Sequence, residues 1–160
     1  MSLSDMTSND ETRVLTRLQG LCAKAEYCSH DIYLKALKAL EGDREAAERV
    51  VASLVEDKFV DDLRYASAFA REKSSLTGWG SVKISFMLRG KGISDAVIKE
   101  ALSSVEPEKA SMKLRKMAQE KYRVLKEDPE CRLKLLKALL SRGYGYDEIA
   151  PVVEEVLKGQ

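Results

Sequence analysis

The sequence predicts an all-α fold of three tandem three-helix repeats, forming an elongated, curved body. Three observations carry that prediction. Sliding the chain by 51 residues aligns Ala47, Val50, Val51 and Leu54 with Ile98, Ala101, Leu102 and Val105, and then with Ile149, Val152, Val153 and Val156. Within each set the spacing is i, i+3, i+4, i+7, one face of a helix, and no segment alternates with period two. The third observation is compositional: 160 residues hold only 9 Gly and 3 Pro, too little punctuation for a many-stranded sandwich or barrel. At 44% hydrophobic and 33% charged the chain can bury a core beneath a well-solvated surface.

Residues 1–9 read as a disordered tail. The first repeat, 10–58, is expected to hold helices at 10–26, 30–40 and 44–58. The second, 59–105, holds them at 61–76, 80–90 and 94–105, and the third, 106–160, at 108–126, 129–142 and 146–158. The middle helices repeat too, with Tyr33, Ala36 and Leu37 matching Ile84, Met87 and Leu88, then Leu135, Ala138 and Leu139. In the long first helices Leu15, Ala66 and Met117 align. Ser29, Ser94 and Asp128 are expected N-caps, their side-chain oxygens accepting from first-turn N–H groups. Pro107 and Pro129 suit a first helical position, which needs no N–H. Gly42, Gly92 and Gly143 stand where the middle helices must stop in a left-handed conformation. The connections are short, so units of this kind would stack through their helical faces with limited flexing.

Several function classes are excluded. No apolar run approaches the roughly 18 residues that span a bilayer, and the polar start is no secretory signal. Cys22, Cys28 and Cys131 lack zinc-type spacing, and His30, the only histidine, cannot complete a metal set with them. No metal or other cofactor is expected, and the cysteines read as reduced residues of a cytoplasmic protein. No nucleophile elbow and no Gly-rich phosphate loop is present, so the chain does not read as an enzyme.

Charge is informative in its placement. The chain has 27 basic and 26 acidic residues, a net of +1. Lys109–Arg142 nevertheless contains 11 basic against 4 acidic residues, and Arg71–Lys91 contains 5 against 1. Lys109, Lys113, Lys116 and Arg123 share one side of the long third-repeat helix. They form either a solvated face or a surface for phosphate or an acidic protein groove. Trp79, the only tryptophan, is framed by Gly78 and Gly80 and is expected to pack over a helix junction. Tyr144 and Tyr146 stand at the matching place in the third repeat. Asp61 and Asp62, just before a helix, suit N-capping and dipole compensation better than metal or acid–base chemistry.

The stretch Phe59-Val-Asp-Asp-Leu-Arg-Tyr-Ala, followed by Gly78-Trp79-Gly80 and Met87-Leu-Arg-Gly-Lys-Gly-Ile93, resembles the central signature of the RecX family, bacterial regulators of the RecA recombinase. Lys134-Leu-Leu-Lys-Ala-Leu-Leu-Ser-Arg-Gly-Tyr144 resembles that family's third-repeat motif. The resemblance implies tandem three-helix repeats and a regulator, usually an inhibitor, that lodges in the groove of the RecA–DNA filament and hinders ATP hydrolysis and strand exchange. Within the motifs Asp61, Asp62, Tyr65, Gly78, Trp79, Gly80, Gly92, Gly143 and Tyr144 read as structural. The resemblance carries Arg64, Arg71, Lys91 and Arg142 over as contacts to recombinase or DNA. The charge clusters add Lys83, Arg89, Lys113, Lys116, Arg123, Lys134 and Lys137. Thr77 stands where relatives often carry a cation, and the total charge is near neutral. The recombinase is therefore expected as the main partner of a monomeric chain, with single- or double-stranded DNA bound weakly. A sequence-independent DNA-binding helical module acting without a recombinase is the alternative.

Overall fold

The computed structural model describes residues 3–159, with side chains from Asn9 onward. It is all-α. The helices are α1 (Leu3–Lys24), α2 (Ser29–Ala39), α3 (Arg44–Glu56), α4 (Asp62–Glu72), α5 (Ser81–Gly90), α6 (Asp95–Ser103), α7 (Pro107–Leu125), α8 (Cys131–Ser141) and α9 (Tyr146–Lys158). The first helix of a set is long in α1 and α7, at 22 and 19 residues, but α4 has only 11, no more than α2.

Four local expectations need correction. The backbone is helical from Leu3, where a tail is expected over 1–9; no Gly or Pro interrupts 3–9. Met1 and Ser2 lie outside the described residues. The helix expected over 61–76 ends as α-helix at Glu72 and widens into a π-type turn, Lys73–Thr77. Ser29 does not cap α2: Cys28 holds the cap position without a side-chain bond. The carboxylate of Asp62 fills that role from α4, accepting from Ser29 N at 2.7 Å and from its hydroxyl at 2.6 Å. Asp128 and Pro129 do not open α8, which begins at Cys131. Instead Asp128 accepts from Glu130 N at 2.8 Å and pairs with Lys134 at 2.5 Å, closing an Asx turn ahead of the helix.

Other signals act as read. Ser94 caps α6 by accepting from Val97 N, and Pro107 occupies the first turn of α7. Asp61 caps α4, accepting from Arg64 N at 3.0 Å. Gly42, Gly92 and Gly143 all have positive φ.

The chain packs as two compact units, one comprising residues up to Ala66 with Lys91–Ile93, the other Ser67–Gly90 with Ser94 onward. The first unit is cored by Leu18, Ile32, Ala36, Ala46, Ala47, Val50, Leu54 and Val60. Tyr65, Cys28, Asp31 and Lys91 meet in this unit. Lys91 Nζ lies 3.1 and 3.0 Å from the two Asp31 oxygens, which holds its ammonium above the usual lysine range. Burial pushes the Cys28 thiol and the Tyr65 phenol up. The second unit buries Leu114, Ala118, Leu135, Leu139, Tyr144, Ile149, Val153 and Val156. At the repeat-aligned positions Ala47, Ile98, Ile149 and Val50, Ala101, Val152 all six residues are buried.

Candidate functional site: the basic corner around Trp79

The π turn sets up a corner in the second unit. Trp79 N donates to Lys73 O at 2.8 Å, and Gly78 takes a left-handed φ of 76° to let the chain reverse. A Cβ at Gly78 would stand 2.8 Å from Met117 Cε and 3.3 Å from Lys113 Cε, so α7 closes directly over the turn. Gly80 N donates to Arg142 O at 2.8 Å and Val82 N to Gly143 O at 3.0 Å, splicing the start of α5 to the end of α8. At Gly143, with φ 90°, a Cβ would overlap the Lys83 side chain and lie 2.7 Å from Lys83 N. The buried Tyr144 hydroxyl donates to Gly78 O at 3.0 Å. Its pKa is pushed up to about 12, by burial first and by the nearby Glu148 carboxylate second.

Trp79 itself is half-buried. Its ring meets Phe69 edge-on, with centroids 6.1 Å apart. That is the junction packing expected of it. Lys83 Nζ lies 4.5 Å and Lys73 Nζ 4.9 Å from the Trp79 centroid, both within cation–π range. Arg142 donates to Thr77 O at 3.3 Å. The corner thus holds Lys73 and Lys83 on the Trp79 ring, Lys113 beside Gly78, and Arg142 against Thr77 and Gly80. Tyr146, by contrast, is exposed and does not share Tyr144's role.

The remaining sequence-predicted contact residues divide by what they already hold. Arg64 is spent within its own unit: it bonds Glu26 at 2.7 Å and the carbonyls of Lys58 and Phe59, both at 3.2 Å. Lys91 is held by Asp31, Arg89 by Asp95 at 2.8 Å and Lys134 by Asp128. No ion pair ties Arg71, Lys113, Lys116, Arg123 or Lys137 among the described residues. Charge counting along the chain treats both groups alike, because the pairing partners are brought in by the fold. Lys73 was counted in the basic segment but not singled out. Its signal was position: one turn before a Gly-aromatic-Gly corner, it reaches over that aromatic.

Chemically the corner offers dense positive charge, an amphipathic ring and backbone donors already satisfied by the fold. It can attract and seat an anionic surface. Among the described residues, no group of three or more His, Cys, Asp or Glu is placed to hold a metal. No described helix is long and apolar enough to cross a membrane.

Comparison with known proteins bears on these features. The family model for "RecX, second three-helix domain" matches residues 61–102, which run from the Asp61-Asp62 turn through the Trp79 corner and α5 to α6. The chain is 33% identical over 170 residues to a Regulatory protein RecX of Clostridium botulinum strain Eklund 17B, covering 98% of this chain and 79% of that one. The chain belongs to the RecX family. A Regulatory protein RecX from Prosthecochloris aestuarii is 29% identical over 153 residues and is covered over 99% of its length. The crystal structure of RecX from Lactobacillus salivarius superposes with a TM-score of 0.83 at 19% identity, over 94% of this chain and 99% of that one. That likeness fixes the all-α repeat fold. RecX relatives are named as regulatory proteins, and this chain is a RecX-type regulator.

Proposed function

We propose that this RecX-family chain lowers RecA recombinase activity by docking the basic face of its second unit on the RecA–DNA filament. The observation that carries the reading is a set of cations with no ion pair among the described residues: Lys73 and Lys83 at Trp79, Lys113, Lys116 and Arg123 on α7, and Lys137 and Arg142 on and just after α8. Lys109, Arg115, Arg132 and Lys134, by contrast, are paired. A field of this kind steers a protein toward a polyanionic assembly and makes association salt-dependent. Docking there would hinder ATP hydrolysis and strand exchange in homologous recombination and DNA repair, in the cytoplasm where the filament forms.

The test is ATP hydrolysis by RecA of the same organism on single-stranded DNA, with this chain titrated in. A drop at substoichiometric amounts supports the reading, because one bound regulator then silences many protomers. Lys73→Gln with Lys83→Gln should require roughly 5- to 30-fold more protein for the same drop, since each lost exposed charge contact is worth about 0.5–1 kcal/mol. Unchanged hydrolysis together with absent filament binding would reject the reading.

A further inference from the structure

Helix α5 carries five apolar side chains but buries only two of them, Ile84 and Leu88. Val82 is 59% and Phe86 72% exposed, one turn apart on the opposite side from the core. A helix that is apolar on more than one side is normally covered on more than one side. Scattered single apolar residues on a surface need no explanation, but these are not scattered. Shifting by the 51-residue repeat carries Val82, Phe86 and Arg89 onto Leu133, Lys137 and Leu140 of α8. All six side chains are exposed, with Leu133 at 48% and Leu140 at 42%. The same face of the same repeat element is therefore turned outward twice within the second unit. The hydrogen bonds from Gly80 and Val82 to Arg142 and Gly143 splice the start of α5 to the end of α8, so the two faces meet end to end. In α2 the equivalent residues are Asp31, Lys35 and Lys38, with no apolar member.

The geometry points to this repeated face, four apolar side chains with Lys137 unpaired and Arg89 shared with Asp95, as the surface that anchors an acidic, apolar-sided face of a recombinase protomer. This rests on the filament-docking reading and assigns the protein side of that contact. Charge selects the occupant. Arg89 is already paired with Asp95, but Lys137, and Arg142 where the two helices join, have no ion pair among the described residues and call for acidic groups. Three of the four apolar side chains are aliphatic and cannot stack on bases, so nucleic acid would satisfy the cations and leave the apolar area uncovered. A second copy meeting face to face would set like charges against each other.

The experiment compares the full chain with two surface variants, Val82→Ser/Phe86→Ser and Leu133→Ser/Leu140→Ser. Both leave the buried Ile84, Leu88, Leu135 and Leu139 in place, and unchanged thermal melts establish that they fold. Each is titrated onto RecA filaments on single-stranded DNA and onto the same DNA without RecA, and its mass is taken by light scattering. Filament affinity should fall about 10- to 50-fold for the Val82/Phe86 variant, the loss typical of removing an aromatic anchor. Affinity for naked DNA and the molecular mass should not change. Unchanged filament affinity overturns the anchor while leaving filament docking intact. An equal loss on naked DNA reassigns the face to nucleic acid, and a fall in mass reassigns it to self-association. Either of those overturns the inference. If the unmodified chain does not bind filaments at all, the docking reading fails and the anchor falls with it.

Discussion

Gly143→Ala tests whether the corner is built by backbone contact. The residue sits at φ 90°, where an alanine costs about 1–2 kcal/mol relative to glycine. The larger cost is steric. The added Cβ would overlap Lys83 and stand 2.7 Å from its backbone nitrogen, an atom that no rotamer change can move. Relief requires α5 to shift away from α8, which sacrifices the bonds from Gly80 N to Arg142 O and from Val82 N to Gly143 O. Each such bond contributes about 0.5–1.5 kcal/mol net. Strain and lost bonds together come to about 2–5 kcal/mol, a large part of the 5–15 kcal/mol that typically separates folded from unfolded domains. For a chain of this size that is a fall in Tm of roughly 10 °C. Urea unfolding followed by far-UV circular dichroism gives the stability. Emission from Trp79, the only tryptophan, reports on the corner directly. Gly145→Ala is the internal control: its φ is −75° and its nearest foreign atom is Glu148 Oε1 at 3.6 Å, so it should cost less than about 0.5 kcal/mol. A Gly143→Ala protein within about 1 kcal/mol of the parent, with unchanged Trp79 emission, would refute the splice.

Two further outcomes follow from side-chain geometry. Asp62→Ala removes both acceptors that meet Ser29 N and its hydroxyl, leaving the start of α2 uncapped. It should destabilise by about 2–3 kcal/mol in thermal unfolding, whereas a loss below about 0.5 kcal/mol would show the cap to be dispensable. Tyr144 has its folded pKa raised to about 12 from an ordinary 10, so its contribution is fully present below pH 10 and is lost as pH rises toward 12. Stability measured from pH 8 to 12 should therefore fall more steeply for the parent than for Tyr144→Phe, which is also less stable at neutral pH by about 1 kcal/mol for the lost bond to Gly78 O. Equal slopes would show that the buried hydroxyl does not set the alkaline limit.

What was legible in the sequence was what depends on period and on local chemistry. Buried positions such as Ala47, Ile98 and Ile149 repeat every 51 residues because each third helix presents the same face to its core, and that survives in the one-dimensional pattern. Ser94 and Pro107 act within one turn, so they too could be read directly. Ser29 and Asp128 misled because a capping side chain can be outbid at a distance. Asp62 lies 33 positions from Ser29 and offers a charged acceptor, which no local rule contains. The π turn at Lys73–Thr77 was invisible for a similar reason: its residues have ordinary helix propensity, and the widening accommodates the Trp79 corner. The site was half legible. The cations were countable, but which were spent depended on partners such as Glu26 for Arg64 and Asp31 for Lys91, which only the fold supplies.

The division of labour between charge and apolar area sets a kinetic expectation for filament binding. Exposed cations act on encounter, because their field reaches about 8 Å at physiological ionic strength before salt screens it. Apolar side chains act only after contact, when water leaves the interface, and so govern dissociation. Lys73→Gln/Lys83→Gln should then slow association and flatten its dependence on salt, with dissociation changed by no more than about threefold. Val82→Ser/Phe86→Ser should do the reverse, speeding dissociation roughly tenfold or more while association keeps the parent's salt slope. Surface-immobilised filaments probed between 50 and 300 mM salt, a range over which screening changes substantially, separate the two. If both variants changed the salt slope of association equally, charge and apolar contact would be forming together in the encounter step. The corner and the α5–α8 face would then be one surface acting at once, not a steering patch followed by an anchor.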